Sequence, residues 1–382
     1  MPSAPDLHDD PVHSAGSSSR PTAPTPRPAA APQPASPALP VHIRVTHDPS
    51  INYAFQQNGI PVLREVRVRH EGTEEVRDVT VHLTTEPPFA SPLELRVQAL
   101  APGVEFRAGP VDQKLSPMLL GALRERTSGL LHVEVRAGET VLGRHSSPIA
   151  LLAHNEWSGL DSLPDILAAF VLPNDPALAP LLTAAADLLR TQDVATPLNG
   201  YQDRSRRRVW DQLSAIHRAL AAAGVRYVNP PASFEQTGQK IRFPGEVLAH
   251  RTGTCLDLAL VFAACCEQAG LHPLVLLQKG HAYAGCWLVE RTLPDAAIDD
   301  LQTIRKLVDL EELAVFETSA FAADESTTLE QAEQLARRHL APGTPLSLAL
   351  DLKREPAKRL HPQALPGATP IAGRPASAPA KP

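Results

Sequence analysis

The segment from Arg251 to Leu288 constrains the fold of this chain more than any other stretch. It begins with a tight turn at Gly253 and Thr254, where threonine is a favourable helix N-cap. The residues that follow are apolar on nearly every side of a helix, as in a helix enclosed by a core. Gly270 stands where a helix-ending glycine is expected, and Pro273 prevents the helix from resuming. The pattern therefore predicts a buried helix.

One cysteine and one histidine of this segment are placed for joint chemistry. Cys255 falls in the first turn of the predicted helix, at the positive end of its dipole, where a thiolate is favoured over a thiol. His281 follows a predicted turn at Lys279-Gly280, between apolar strands at 274–278 and 282–290. The imidazole can take the thiol proton and later protonate a leaving group. The pair therefore predicts a nucleophile and its general acid/base.

A third group usually orients the imidazole in such a pair. The run Leu313–Thr318 predicts another strand and is apolar except for Glu317 and Thr318. An unpaired carboxylate in a buried strand would cost on the order of several kcal/mol. His281 is its natural partner, so we expect Glu317 to orient His281 beside Cys255.

These residues resemble the core of the transglutaminase-like cysteine peptidase superfamily, through the motifs Gly253-Thr254-Cys255 and Gly280-His281-Ala282 and the acidic Glu317. The family more often has an aspartate followed by proline at the third position. This departure leaves three alternative acidic residues: Asp295, Asp299 and Asp300.

Over about 41–360 the chain also resembles the N-terminal region of large bacterial superfamily 1 helicase-like proteins. The resemblance is carried by Asn155–Trp157, Gly200–Gln202, Tyr227–Pro244, the Cys255 segment and the VFET sequence at 315–318. The chain contains no G-x-x-x-x-G-K-[ST] motif, so no P-loop motor of its own is expected.

The resemblance implies an α+β fold with a papain/transglutaminase-like core, in which a helix packs on an antiparallel sheet. It implies a cysteine protease or acyl-transfer enzyme that acts on a protein or peptide amide through Cys255, His281 and Glu317. Water or an amine would be the acceptor. No cofactor is expected, and the calcium used by some eukaryotic transglutaminases has no recognisable ligand loop here.

The chain divides into four predicted regions. Residues 1–40 form a Pro/Ala-rich disordered tail, and 346–382 a mostly disordered C-terminal extension. Short alternating runs between 41 and 153 predict an immunoglobulin-like β-sandwich. Residues 155–345 form the thiol hydrolase domain.

Composition gives little reason to expect nucleic-acid binding, because the net charge is −6 and the pI is near 6.2. The N-terminus has neither a basic region nor an apolar one of the signal-peptide type, and no apolar run reaches the ~18–20 residues of a membrane span. We therefore expect a cytoplasmic protein without membrane contact. The four cysteines do not form a disulfide framework.

Three further residues are candidates for the oxyanion site or the cleft: Gln202, Trp157 and Trp287. The alternative role for Trp157 is to close the seam between the β-sandwich and the core. The Gln202 amide could donate to an oxyanion, or it could equally fix the loop before the next helix. Cys265, Cys266, His281 and Cys286 lack the paired C-x2-C spacing of structural zinc, so no metal site is predicted.

An alternative function is a non-catalytic sensing or docking module that works with a separate helicase or nuclease. The basic cluster Arg204, Arg206, Arg207 and Arg208 lies where a helix is expected to begin. Positive charge there is mildly unfavourable. The cluster therefore indicates either a solvated helix face or an acidic partner.

Overall fold

A computed structural model describes residues 40–191, 197–354 and 357–364. The predicted disordered tail, apart from Pro40, and residues 365–382 of the predicted extension lie outside the described residues. Within the described part no helix combines the length and apolar character that crossing a bilayer requires. The four cysteines are buried and free.

The strands of the described residues are, in chain order, β1 (Val41–His47), β2 (Ser50–Ile51), β3 (Leu63–His70), β4 (Val76–Glu86), β5 (Leu93–Leu100), β6 (Glu105–Ala108), β7 (Thr127–Ala137), β8 (Thr140–Leu151), β9 (Glu156–Trp157), β10 (Arg226–Tyr227), β11 (Gln239–Lys240), β12 (Thr252–Gly253), β13 (Pro273–Gln278), β14 (His281–Trp287), β15 (Ala297–Ile298), β16 (Leu313–Phe316) and β17 (Leu348–Asp351).

The α-helices are α1 (Tyr53–Gln57), α2 (Pro117–Ala122), α3 (Leu178–Thr191), α4 (Arg206–Ala222), α5 (Phe234–Thr237), α6 (Pro244–His250), α7 (Cys255–Gln268), α8 (Leu301–Asp309), α9 (Ala320–Ala323) and α10 (Leu329–Arg337). Short 3-10 helices occupy Pro164–Phe170, Arg338–Leu340 and Ala357–Arg359. The predicted α+β class is confirmed.

The N-terminal part contains two sheets that share one apolar cluster. One sheet has the order β1-β3-β6 and the other β2-β8-β7-β4-β5. Alternating valines and leucines of β1, β3, β4 and β7 fill the space between them, while the intervening polar side chains face outward. The period-2 pattern of the sequence thus decides which face of each strand is buried.

The C-terminal part is built on an antiparallel sheet with the order β15-β17-β13-β14-β16. The helix α7 packs on β13 and β14, against alternate residues such as Val275, Leu277 and Ala284. The other face of the sheet, with Leu276 and Tyr283, is covered by α8 and α10. Both faces are therefore buried, and its central strands are correspondingly apolar throughout.

The helix α7 matches the predicted one closely. Thr254 is its N-cap, and the helix runs from Cys255 to Gln268 before Gly270 takes a φ of +77°. Every residue from Cys255 to Cys266 is buried. One core cluster joins this helix to residues of the N-terminal part, among them Ile51 and Phe55.

Some expectations need correction. The sheet continues past residue 345, because β17 pairs with both β13 and β15. The alternating sequence Leu348-Ala349-Leu350-Asp351 carried this signal, but it was assigned to the extension at 346–382. The segment Tyr227–Pro244, quoted for the helicase-like resemblance, contains the short elements β10, α5 and β11.

Gly238 permits the pairing of β11 with β9. Its backbone lies at φ +78° and ψ 175°, a region that essentially only glycine adopts. A Cβ atom there would stand 1.9 Å from the carbonyl oxygen of Trp157. Any side chain would therefore separate the two strands.

We predict that Gly238→Ala lowers the free energy of unfolding by more than about 3 kcal/mol, since backbone strain and a backbone clash add. The matched control is Gly59→Ala, where φ is +60° and a Cβ would meet nothing within 4 Å. That variant should cost only about 1–2 kcal/mol. Urea unfolding measures both, and equal losses would contradict the assigned clash.

Candidate active site

Cys255 is the first residue of α7 and is 0 % exposed. The N-cap Thr254 accepts a hydrogen bond from the backbone N–H of Asp257 (3.3 Å), and the Asp257 carboxylate accepts one from the Thr254 N–H (2.9 Å). This reciprocal capping box fixes the start of the helix. The sulfur therefore lies at the positive end of the helix dipole, as predicted.

The carboxylate of Asp257 also holds the preceding loop against the helix. Its two oxygens accept hydrogen bonds from the backbone N–H and the guanidinium of Arg242, each at 2.9 Å. Asp257 thus joins the first turn of α7 to the loop before it. It has a positioning role at the helix start.

His281 and Glu317 meet across two adjacent strands. The imidazole Nε2–H of His281 donates to Glu317 Oε2 at 2.6 Å. In the register of β14 with β16, Ala284 faces Phe316, so Glu317 comes opposite Tyr283 and diagonal to His281. The turn at Lys279-Gly280, with Gly280 at φ +70°, places His281 at the beginning of its strand.

Glu317 is held by three other groups besides His281. Its Oε1 accepts from the backbone N–H of Ser319 (3.0 Å) and from the Ser319 hydroxyl (2.6 Å). Its Oε2 also accepts from the Nε2 of His339 at 3.1 Å. The Glu317 side chain is only 10 % exposed, and these bonds satisfy the charge that burial would otherwise penalise.

The electrostatics of the pair follow from these contacts. Burial alone would lower the pKa of His281, but hydrogen bonds to Cys255 and Glu317 and the neighbouring negative charge outweigh it and raise that pKa to about 10. Burial alone would raise the pKa of Glu317, but its hydrogen bonds to His281 and His339 outweigh burial and lower it. Over the neutral range the site therefore holds an imidazolium and a carboxylate.

Cys255 contacts two side chains. Its thiol interacts with the ring of His281 and raises the pKa of that ring, and since His281 Nε2 already faces Glu317, Nδ1 is the nitrogen left for the sulfur. The Tyr227 hydroxyl also interacts with Cys255. Burial, followed by the interactions with Cys255, raises the pKa of Tyr227 to about 12. The phenol therefore stays neutral and acts as a polar contact on the thiol.

His339 adds a second imidazole to the site. Its ring lies 4.8 Å from that of His281 and 5.1 Å from that of Tyr283, centre to centre. The nitrogen and oxygen ligand atoms of His281, Glu317 and His339 lie within 4.8 Å of one another. Among the described residues this is the one cluster with the composition of a metal site.

The cysteine cluster considered from the sequence does not include His281. Cys266 and Cys286 interact with each other near the end of α7 that is opposite Cys255. Burial raises the pKa of Cys265 to about 12. These buried thiols pack in the core.

Two of the predicted cleft residues lie elsewhere. Gln202 is exposed and close to Gly200, whose backbone approaches Gly270 at the far end of α7, about 21 Å along the helix from Cys255. Trp287 is buried at the opposite end of β14 from His281, and its indole N–H donates to Asp351 at 3.0 Å. The structure thus brings neither residue to the thiol.

Trp157 lies on the Cys255 side of the domain. It pairs with Gln239 across β9 and β11, and Gln239 donates to the hydroxyl of Thr254 at 2.9 Å. Trp157 is 0 % exposed, and its indole N–H is buried without a hydrogen-bond partner. An unsatisfied buried donor calls for an explanation.

The three alternative acidic residues are all exposed. Asp300 caps α8 by accepting from the N–H of Gln302 at 2.9 Å. Within the described residues the acidic partner of His281 is Glu317.

The basic cluster is engaged mostly in internal contacts. Arg207 pairs with Asp211 at 3.0 Å, and Arg206 and Arg208 donate to backbone carbonyls of other segments at 3.2 and 2.7 Å. Arg204 is exposed. These contacts favour the interpretation of the basic cluster as part of the folded surface.

Sequence reasoning missed four residues that complete the site: Tyr227, Gln239, Ser319 and His339. Tyr227 and Gln239 belong to the segment quoted for the helicase-like resemblance, so a signal existed without an assigned role. His339 belongs to none of the motifs that carried the predicted site. Its contact with Glu317 joins positions 22 apart in sequence, which no local pattern encodes.

No family model matches the chain, and no curated protein matches its sequence. Among solved structures, a weak likeness links it to a family 76 glycoside hydrolase from a bovine Bacteroides thetaiotaomicron strain. The identity is 10%, the alignment covers 54% of this chain and 46% of that chain, and the TM-score is 0.14.

We predict that His281 remains protonated between about pH 7 and pH 9, where an ordinary histidine is neutral. Because the pKa of His281 is raised in the folded protein, the interactions of its ring stabilise the fold fully below pH 6.5. This stabilisation is lost as the pH rises through about 10. In Glu317→Gln the pKa should fall by about 1–3 pH units. Imidazole ¹⁵N chemical shifts followed against pH measure the pKa of His281 in both proteins. The same pKa in both would contradict the assigned pair.

Proposed function

We propose that the chain is a thiol-dependent acyl-transfer enzyme of transglutaminase-like type that acts on a protein or peptide amide. Cys255 is the nucleophile, His281 the general acid/base and Glu317 the orienting group. The observation that carries this proposal is the chain of contacts from the thiol at the start of α7 through His281 to Glu317, with 2.6 Å in its last link. This is the arrangement that activates a thiol.

In the first half of the reaction the Cys255 thiolate attacks the amide carbonyl carbon. A C–S bond forms, and the carbonyl π electrons move to the oxygen. When the tetrahedral intermediate collapses, the C–N bond breaks and the His281 imidazolium gives its proton to the departing nitrogen. A thioester and a neutral imidazole remain.

The oxyanion requires donors that are already in position. The backbone N–H of Cys255 lies in the first turn of α7, where N–H groups have no intrahelical acceptor. Trp157 is the second donor in this proposal, because its indole N–H is buried and unpaired and its strand partner bonds to the N-cap of the same helix.

In the second half water or a primary amine attacks the thioester. His281 accepts the proton of the attacking group, the C–S bond breaks, and the thiolate is restored beside the imidazolium. The acceptor decides between hydrolysis and transamidation. The chemistry requires no redox step.

The finer fold assignments belong to the same proposal. The helix α7 on its antiparallel sheet is consistent with a papain/transglutaminase-like core, and the two N-terminal sheets with an immunoglobulin-like sandwich. We infer a cytoplasmic location and the domain division at about residue 154 from the sequence.

A second candidate function is a docking module for a helicase or nuclease. The observation that favours it is the complete burial of Cys255. A substrate carbonyl reaches the sulfur only after a neighbouring side chain moves. If none moves, the fold persists without catalysis.

Exposure to p-nitrophenyl acetate tests the enzymatic proposal without knowledge of the substrate. We expect a burst of one nitrophenolate per chain and an acetyl group on Cys255, located by peptide mass spectrometry. Cys255→Ala should abolish the burst. Trp157→Phe should slow acetylation by about 100-fold, as the loss of one oxyanion donor does.

Alkylation of the same thiol by iodoacetamide is the control for Trp157→Phe, because that reaction forms no oxyanion. Its rate should be unchanged in this variant. A folded wild-type chain that gains no acetyl group on Cys255 would contradict the enzymatic proposal and favour the docking module.

A further inference from the structure

The cluster of His281, Glu317 and His339 contains one more ligating side chain than acyl transfer requires. A thiol triad needs a single imidazole. Here the Nε2 atoms of both His281 and His339 lie within hydrogen-bond distance of the same Glu317 oxygen, at 2.6 and 3.1 Å. The second imidazole comes from a separate element, the 3-10 helix Arg338–Leu340. Convergence of two imidazole nitrogens on one carboxylate oxygen therefore needs its own explanation.

The spacing of these atoms suits a four-coordinate metal ion. With bonds of about 2.0–2.1 Å in a tetrahedron, ligand atoms stand roughly 3.3–3.4 Å apart. The two nitrogen–oxygen separations of 2.6 and 3.1 Å would open slightly, and all three ligand atoms already lie within 4.8 Å. Side-chain rotation supplies changes of this size.

The chemistry of the ligands selects the metal. Two imidazoles and one carboxylate suit Zn²⁺ and neighbouring transition metals, whereas Mg²⁺ and Ca²⁺ prefer oxygen ligands. Three protein ligands also leave a fourth position for water. The side chains of His281 and His339 are 22 % and 30 % exposed, which gives an ion access from solvent.

A second layer of hydrogen bonds holds two of the ligands in place. Ser319 bonds to the Glu317 oxygen that faces away from the imidazoles, at 2.6 Å. The amide of Gln278 donates to the backbone carbonyl of His339 at 2.6 Å. Such outer contacts orient metal ligands and raise affinity.

We propose that His281, Glu317 and His339 form a binding site for Zn²⁺ or a similar transition-metal ion, and that the bound ion inhibits the thiol. The binding site stands on the geometry alone, whereas the inhibition rests on the proposed function. A metal on Nε2 of His281 leaves Nδ1 with the ring's proton. The ring then has no lone pair with which to accept the proton of Cys255 or of an attacking water.

Titration of the full chain, freed of metal by a chelator and carrying no polyhistidine tag, tests the site. We expect one Zn²⁺ per chain by calorimetry and a tetrahedral-type visible spectrum with Co²⁺. His339→Gln should weaken binding by at least about 100-fold, since loss of a mere outer-layer partner costs 10–100-fold. In wild type, Zn²⁺ should shift the imidazole ¹⁵N signals of both histidines, which requires no variant to fold.

Two variants serve as controls. His42→Gln removes an exposed histidine of β1 and should leave binding unchanged. Cys255→Ala should also retain the metal, which separates this site from an ion held by the thiol. Absence of stoichiometric binding, or equal binding by His339→Gln and wild type, would overturn the site.

Inhibition has a separate readout. Acetylation of Cys255 should stop when the site is filled and return after chelation. If the metal binds and acetylation is unchanged, the proposed inhibition is wrong, whereas the proposed binding site still holds. A chain that binds metal but is never acetylated, even after chelation, would refute the proposed enzymatic function and support the site.

Discussion

The buried carboxylate of Glu317 is the interaction on which the rest of the site depends. A carboxylate whose side chain is only 10 % exposed is stable only where its oxygens accept hydrogen bonds. Here Ser319, His281 and His339 donate those bonds. The same bonds fix the ring of His281 so that its other nitrogen faces Cys255. Removal of this carboxylate would leave two imidazoles without an anchor and the thiol without an oriented base.

The scaffold supplies the remaining precision through elements that are stable without the chemistry. The capping box of Thr254 and Asp257 determines where α7 begins, and so where the sulfur lies. The register of β14 with β16 determines which acidic residue reaches His281. Because α7 packs across these strands in one buried core, the helix start and the strand ends cannot shift independently.

Local patterns made much of this predictable. The turn before Cys255, the glycine after α7 and the apolar strands around His281 each have a short-range signature, and these elements formed as expected. Contacts that join distant segments were not predictable: His339 on Glu317, Tyr227 on Cys255 and Gln239 on Thr254 depend on how elements pack. Gln202 shows the opposite error, since a polar residue in a suggestive motif lies at the wrong end of α7.

The most direct test of the central claim is the pH dependence of iodoacetamide alkylation at Cys255, followed by peptide mass spectrometry in wild type and in His281→Ala. The account predicts that the wild-type thiol reacts as a thiolate well below about pH 8, where an ordinary cysteine is mostly protonated. It also predicts that His281→Ala loses this reactivity. An ordinary thiol profile that His281→Ala leaves unchanged would contradict the account, because the imidazole would then have no influence on the sulfur.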